Sequence, residues 1–194
     1  ADSLTVVSGV SVTDAAGTSL TIENDASIAG TSISLTDNTD VLGVSGTAIL
    51  NAGAGAITVA APGTANFGSL TFNTTAGAVA ITEDSATELT GTNTADSLTL
   101  VSGGSVTDAV GTSLTIDNGD ASITGTSISL ADNTDVLSVS GTAILNAGAG
   151  AITVAAPGTA NFGRLTFKTT AGAVAITEDS ATVLTGTNTA DSLT

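Results

Sequence analysis

The chain has 194 residues, a formal net charge of −16, and no Cys, His, Met, Trp or Tyr. Because His and Cys supply the usual general base, the thiolate nucleophile and most transition-metal ligands, their absence argues against an enzyme and against a His- or Cys-ligated metal. Arg164 and Lys168 are the only cations, so the acidic surface would repel a phosphate backbone and nucleic acid is excluded as a partner.

The sequence is internally repeated. The segment ADSLT occurs at Ala1, Ala95 and Ala190 and divides the chain into unit 1 (1–94), unit 2 (95–189) and the start of a third unit (190–194). The two complete units differ by ten substitutions and one inserted residue, Gly119. Such similarity predicts tandem structural repeats taken from a longer array.

Within unit 1, short runs of alternating apolar residues follow one another, as is typical of strands with one buried face. The first runs of successive groups begin at positions 4, 26, 48 and 70, which predicts four groups of three strands. A helix is not indicated, because Thr, Val and Gly dominate and apolar residues do not recur at helical spacing. In chain order the runs are Leu4/Val6, Val10/Val12, Leu20/Ile22, Ala26/Ile28, Ile33/Leu35, Leu42/Val44, Ala48/Leu50, Ile57/Val59, Ala65/Phe67, Leu70/Phe72, Val79/Ile81 and a weaker strand at Leu89.

Turn-forming residues separate these runs, for example Ser8-Gly9, Asp14 to Gly17, Gly53 to Gly55 and Thr74 to Gly77. Three strands and three corners make one coil, so the sequence predicts an all-β, three-sided parallel β-solenoid with about four coils per unit. We expect Leu4 to lie in register with Ala26, Ala48 and Leu70 in successive coils, and the two units to share one phase. At about 4.8 Å per coil each unit would advance about 19 Å.

The amino-acid sequence of the repeats resembles that of a known protein family. The segments GTAILNAGAGAITVAAPGTANFGSLTF (46–72) and TTAGAVAITEDSATELTGTNTADSLT (74–99) resemble filamentous-haemagglutinin-like repeats of giant bacterial surface proteins and adhesins. The resemblance covers the whole chain. It implies a right-handed parallel β-helix, export to the cell surface, and a role in adhesion, biofilm or a surface fibre.

These observations predict a structural repeat segment of an extracellular bacterial fibre that supplies length, stiffness and resistance. A stalk that presents the binding domain of a large surface adhesin is the alternative. The expected partners are neighbouring repeats of the same long chain or identical subunits placed end to end, with lateral association of fibres. We expect an extracellular or cell-surface location, with no membrane insertion and no cofactor other than calcium.

Calcium stabilisation is a lesser alternative, because carboxylate oxygens are its preferred ligands. The segment from Gly91 to Leu98 resembles one calcium-binding nonapeptide of a β-roll, and the Glu83/Asp84 corner offers further carboxylates. Plain solvated turns account for the same acidic corners, and no catalytic residue is predicted. The calcium candidates are Asp37, Asp40, Asp96, Asp132 and Asp135.

Two substitutions introduce the cations of unit 2. Arg164 replaces Ser69 and Lys168 replaces Asn73. Because positions 164, 166 and 168 of a strand point the same way, both cations are predicted on one outward face. They either pair with acidic groups of a neighbouring rod or represent neutral surface drift.

Overall fold

The computed structural model describes residues 1–36, 41–59, 64–130, 136–154 and 159–194. Regular structure in these ranges consists of β-strands, which confirms the all-β prediction. The strands are rich in Val, Ile and Thr, which suit a pleated and half-buried surface. Along each strand the side chains point alternately inward and outward. The strands are β1 Leu4–Val7, β2 Val12–Thr13, β3 Ser19–Ile22, β4 Ala26–Ala29, β5 Ile33–Leu35, β6 Val41–Asn51, β7 Ile57–Val59, β8 Thr64–Asn73, β9 Ala78–Glu83, β10 Thr87–Leu89, β11 Thr92–Ala95, β12 Ser97–Ser102, β13 Val106–Asp108, β14 Ser113–Ile116, β15 Ala121–Thr124, β16 Ile128–Leu130, β17 Val136–Asn146, β18 Ile152–Val154, β19 Thr159–Lys168, β20 Ala173–Ile176 and β21 Ser192–Leu193.

All strand pairings in the described part of the chain are parallel, and each joins a strand to one about a coil away in sequence. The result is a parallel β-solenoid of about eight turns, as the sequence predicts. Three columns of stacked strands form its sides. The predicted register is also confirmed, because Leu4 pairs with Ala26, Ala26 with Ala48, and Ala48 with Leu70.

A continuous apolar core runs along the axis of the coil. Its side chains come from the inward positions of every side, and the largest fully buried ones include Phe72, Leu50 and Ile57. Because equivalent residues stack in register from coil to coil, their side chains reach the close packing of a protein interior. Continuous burial along the axis therefore depends on each coil being covered by the next.

Two predicted features differ in detail. The runs Leu42/Val44 and Ala48/Leu50 lie on one long strand, β6, whose register against β8 shifts between Val44 and Thr47 as it turns the corner. Val10, expected to point inward with Val12, is instead 68% exposed, because it occupies a bend before β2.

The phase of the second unit also differs from the prediction. Its first strand, β12, pairs with β9 and therefore continues the column of β2, β5 and β7. The column of β1 continues through the second half of β8 to β11, a strand that the apolar pattern does not reveal. Each unit consequently spans four coils and one further side, so equivalent strands of successive units lie on adjacent sides of the rod.

Candidate functional site

Polar side chains that contact neighbouring coils are concentrated at the join between the two units. We use the name junction coil for residues 78–95, which form one turn through β9, β10 and β11. Above it, toward the C terminus, β12 pairs with β9 over six residues, from Ser97 on Ala78 to Ser102 on Glu83. The hydrogen-bonded ladder thus crosses from one unit into the next, and β12 pairs on its other edge with β15.

A buried carboxylate fixes one corner of the junction coil. Glu83 is only 1% exposed, and its Oε1 accepts hydrogen bonds from the backbone N–H of Phe67 at 2.9 Å and the hydroxyl of Ser85 at 2.7 Å. Its Oε2 accepts a third from the hydroxyl of Thr87 at 2.5 Å. These donors satisfy a charge that would otherwise be costly to bury. The expectation of a solvated turn is therefore wrong for Glu83, because its side chain turns inward to bind the coil below.

A buried amide repairs the ladder at the next corner. Leu89 pairs with Leu70 and Thr94 with Asn73, so five residue steps in the junction coil cover three steps of the coil below. Gly91, with φ of 64°, allows the extra residues to bulge. The Phe72 N–H, which loses a carbonyl partner at the bulge, donates instead to Oδ1 of Asn93 at 2.9 Å.

The amide of Asn93 also joins three successive coils. It is fully buried, and its Nδ2 donates to the carbonyl oxygen of Thr90 at 3.0 Å and to that of Ser113 at 3.3 Å. One side chain therefore bonds the coil below, its own coil and the coil above. Removing it would leave buried backbone groups without partners.

Hydroxyl groups make further contacts across the junction. Ser102 donates to the carbonyl oxygen of Ser85 at 2.7 Å, and Thr112 donates to those of Leu89 at 3.1 Å and Ala109 at 2.6 Å. All of these bonds are internal to the solenoid. The polar interior of the junction coil is thus built to hold neighbouring coils together.

Sequence reasoning did not identify Glu83 and Asn93 as structural residues. The signal lies in their neighbours: Glu83 is followed by hydroxyl residues two and four positions later, and Asn93 lies two residues after Gly91, which has positive φ. Both patterns recur in unit 2 at Glu178 and Asn188. In a solenoid with few buried polar groups, such repeated patterns mark corners that are fixed by side chains.

Of the calcium candidates, Asp96 lies within the described residues. Its Oδ1 accepts a hydrogen bond from Nδ2 of Asn118 in the coil above, and its carbonyl oxygen accepts one from Gly119 N–H at 2.8 Å. The carboxylate therefore links two coils. Asp37, Asp40, Asp132 and Asp135 lie outside the described residues, and within the described ranges no three acidic side chains come together. Calcium binding stays a prediction.

Both cations of unit 2 point outward from β19, as predicted. Arg164 and Lys168 are exposed, whereas Leu165 and Phe167 between them are buried. The residues they replace contact neighbouring coils: the Ser69 hydroxyl lies 2.8 Å from that of Thr47, and Asn73 accepts a hydrogen bond from Thr94. The substitutions therefore exchange contacts between coils for exposed positive charge.

The described cavities are small or shallow. One partly open cavity, lined by Leu89, Thr112 and Leu137 among others, has a volume of about 20 Å³, which accommodates a single water molecule. An open groove of about 240 Å³ crosses β6 and β8, with Thr21, Ser45 and Asn66 at its rim.

Comparison with protein-family models, curated proteins and solved structures gave no match to this chain. No described helix is long and apolar enough to cross a membrane. The architecture and the contacts of the junction therefore provide the basis for inferring function.

Proposed function

We propose that the chain is a structural segment of an extracellular bacterial fibre, in which stacked units supply length and stiffness. The observation that carries the proposal is the pairing of β12 with β9 on one edge and with β15 on the other. A domain that folds separately would close its own sheet edges, whereas this strand uses both of its edges to join two units. Units connected in this way form a rod rather than a string of independent domains.

The side chains of the junction support the same role. Glu83, Asn93 and Ser102 each bind another coil, and they do so in the segment where one unit meets the next. Polar groups that are buried and fully paired favour one geometry over other packings. A fibre that supplies length and stiffness requires a stiff join between its units.

The geometry sets the dimensions of the proposed fibre. Four coils and one of three sides make 4⅓ coils per unit, so a unit would advance about 21 Å at about 4.8 Å per coil. Three units would complete 13 coils and return to the same side after about 62 Å. Any surface feature of one unit would therefore appear in turn on all three sides of the rod.

The proposal is tested by electron microscopy of chains that contain two, four and six tandem units. Particle length should increase by about 21 Å per unit at constant width. Globular particles that widen as units are added would disprove the rod. A helical repeat close to 62 Å along the rod would further support the 4⅓-coil unit, whereas 19 Å without rotation would contradict it.

A matched variant separates a continuous rod from linked domains. Thr99→Pro in one internal unit removes rotational freedom and an N–H that faces β9, because alternate N–H groups of a strand point to opposite edges and that of Leu98 donates to Asp120 beside β15. We therefore expect a bend at that unit and unchanged segments on either side. An unaltered straight particle would indicate that β12 does not join the units.

The adhesin-stalk alternative uses the same rod. It predicts a distinct folded domain at the tip of the full-length protein, which the open reading frame would show. A chain composed of solenoid units throughout would favour the fibre.

A further inference from the structure

One difference between the units falls at the corner after their first strand. Val10 of unit 1 becomes Gly104 in unit 2, and both residues occupy the same bend. Their contacts to the coil above are also the same: the Val10 carbonyl accepts a hydrogen bond from Thr31 N–H at 3.0 Å, and the Gly104 carbonyl accepts one from Thr126 N–H at 2.8 Å. The two corners can therefore be compared directly.

The coil below Gly104 leaves no room for a side chain. Gly104 N–H donates to the carbonyl oxygen of Ser85 at 2.9 Å, which holds the corner against the junction coil. A Cβ atom placed on Gly104 would lie 2.7 Å from the backbone nitrogen of Ala86 and 2.8 Å from its Cα. These are backbone atoms in a paired coil, so they cannot rotate away as the end of a side chain can.

Valine adds two methyl groups to that Cβ, and its branched side chain has few rotamers available. At the uncovered corner of unit 1 this causes no conflict, since Val10 is largely exposed. The preceding position, which is glycine in both units, fits as closely in unit 2, because a Cβ on Gly103 would lie 2.3 Å from the Asp84 carbonyl oxygen.

We propose that this corner determines which unit can stack on a junction coil. Glycine, as at position 104, allows a unit to follow another unit of this sequence; valine, as at position 10, prevents that stacking in this geometry. A unit with valine at this corner would need a coil below whose backbone takes a different path at the position of Ala86, so units with glycine and units with valine are not interchangeable in an array. This inference rests on the proposed function, since it concerns the order of units in a stacked rod.

The test introduces valine into the covered corner and removes it from the uncovered one. For Gly104→Val we expect a lower urea midpoint and a loss of about tenfold or more in hydrogen-exchange protection at the amides of residues 103 and 104, which bond the junction coil. Val10→Gly is the matched control and should leave protection at the junction unchanged. Full protection and an unchanged midpoint in Gly104→Val would overturn the proposal.

A second pair of chains covers the case in which Gly104→Val does not fold. In the first chain, two tandem copies of unit 1 place valine at the internal corner. The second chain is identical except that it carries glycine at that corner. We expect the glycine chain to show junction protection and the valine chain to lose it while each unit keeps its own β-structure. Equal protection in both chains would refute the role of the corner, even if longer chains still form rods. Particles that are not rods would instead refute the proposed fibre, and the effect of the corner on hydrogen exchange could still be measured.

Discussion

The junction coil and its counterpart at residues 173–190 have the same sequence except that Glu88 becomes Val183, yet they differ in structure. The junction coil is covered by unit 2, and Leu89 within it is 1% exposed; the equivalent Leu184 is 53% exposed. Where the junction coil forms β10 and β11, the counterpart shows isolated bridges at Leu184 and Thr189. Both coils make the same two pairings with the coil below, and β10 and β11 become continuous strands through their pairing with β13 and β14 in the coil above.

The side-chain bonds to the coil below do not depend on that cover. Glu178 accepts hydrogen bonds from Phe162 N–H, Ser180 and Thr182, as Glu83 does from its equivalents. Asn188 keeps its bonds to Phe167 N–H and the Thr185 carbonyl oxygen, and the covered Asn93 adds a third bond to Ser113. The comparison separates two contributions: corner side chains attach a coil to the one beneath, and the next coil adds burial and strand order.

The largest effect is expected from Glu83→Ala. The substitution leaves the buried donors of Phe67 and Thr87 without their acceptor and takes the main acceptor from the half-buried Ser85 hydroxyl, so we expect a loss of about 3–5 kcal/mol in the free energy of unfolding. Glu178→Ala removes the same bonds where water can replace them, and its cost should be under about 1 kcal/mol. Urea unfolding followed by circular dichroism measures both.

Equal losses for the two glutamate variants would contradict the comparison, because burial would then add nothing to the corner. Ser85→Ala is a useful control, since it removes one donor and leaves the carboxylate bound by the other two.

A smaller difference is expected between the asparagines. Asn93→Ala leaves the Phe72 N–H buried without a partner and also removes the bond to Ser113, which should cost about 2–3 kcal/mol. Asn188→Ala should cost about 1 kcal/mol, because its surroundings are partly open to water. Hydrogen exchange at the Phe72 and Phe167 amides reports the loss directly; unchanged exchange at Phe72 would show that another acceptor takes the place of Asn93.

The smallest effect concerns acid. Burial tends to raise the pKa of Glu178, but the hydrogen bonds from Ser180, Thr182 and Phe162 N–H outweigh it and lower the pKa below its usual value of 4.5. A carboxyl group whose pKa is lower in the folded state stabilises the fold above its unfolded pKa and loses that contribution as pH falls through the folded pKa. Its stabilisation should therefore be complete at pH 7 and decline below about pH 4.5.

Glu178→Gln isolates this contribution. The difference in urea midpoint between the wild-type chain and the variant should be greatest at neutral pH and shrink in acid, because the other carboxylates titrate in both proteins. A difference that is independent of pH would show that Glu178 acts only through its shape and neutral hydrogen bonds.

Much of the fold could be predicted from alternation alone. The runs at Leu4, Ala26, Ala48 and Leu70 lie in one column as expected, because inward residues at every second position and a coil length near 22 leave one register that buries them all. Gly17 and Gly53 have positive φ at predicted corners. The inward position predicted for Val10 was wrong, since an apolar residue in a bend continues the alternating pattern of a strand.

The roles of the polar residues depended on contacts between distant segments. Asn93 interrupts the apolar pattern of β11, so that strand and the resulting change of side could not be inferred from hydrophobic alternation. Glu83 lies among residues typical of a solvated turn, and its burial depends on the hydrogen bond from the backbone N–H of Phe67 in the coil below. The sequence by itself thus determined the solenoid, its columns and its repeat, because those follow from local periodicity. The tertiary structure decided the phase between units and the fit at Gly104, because both depend on which backbone lies one coil away.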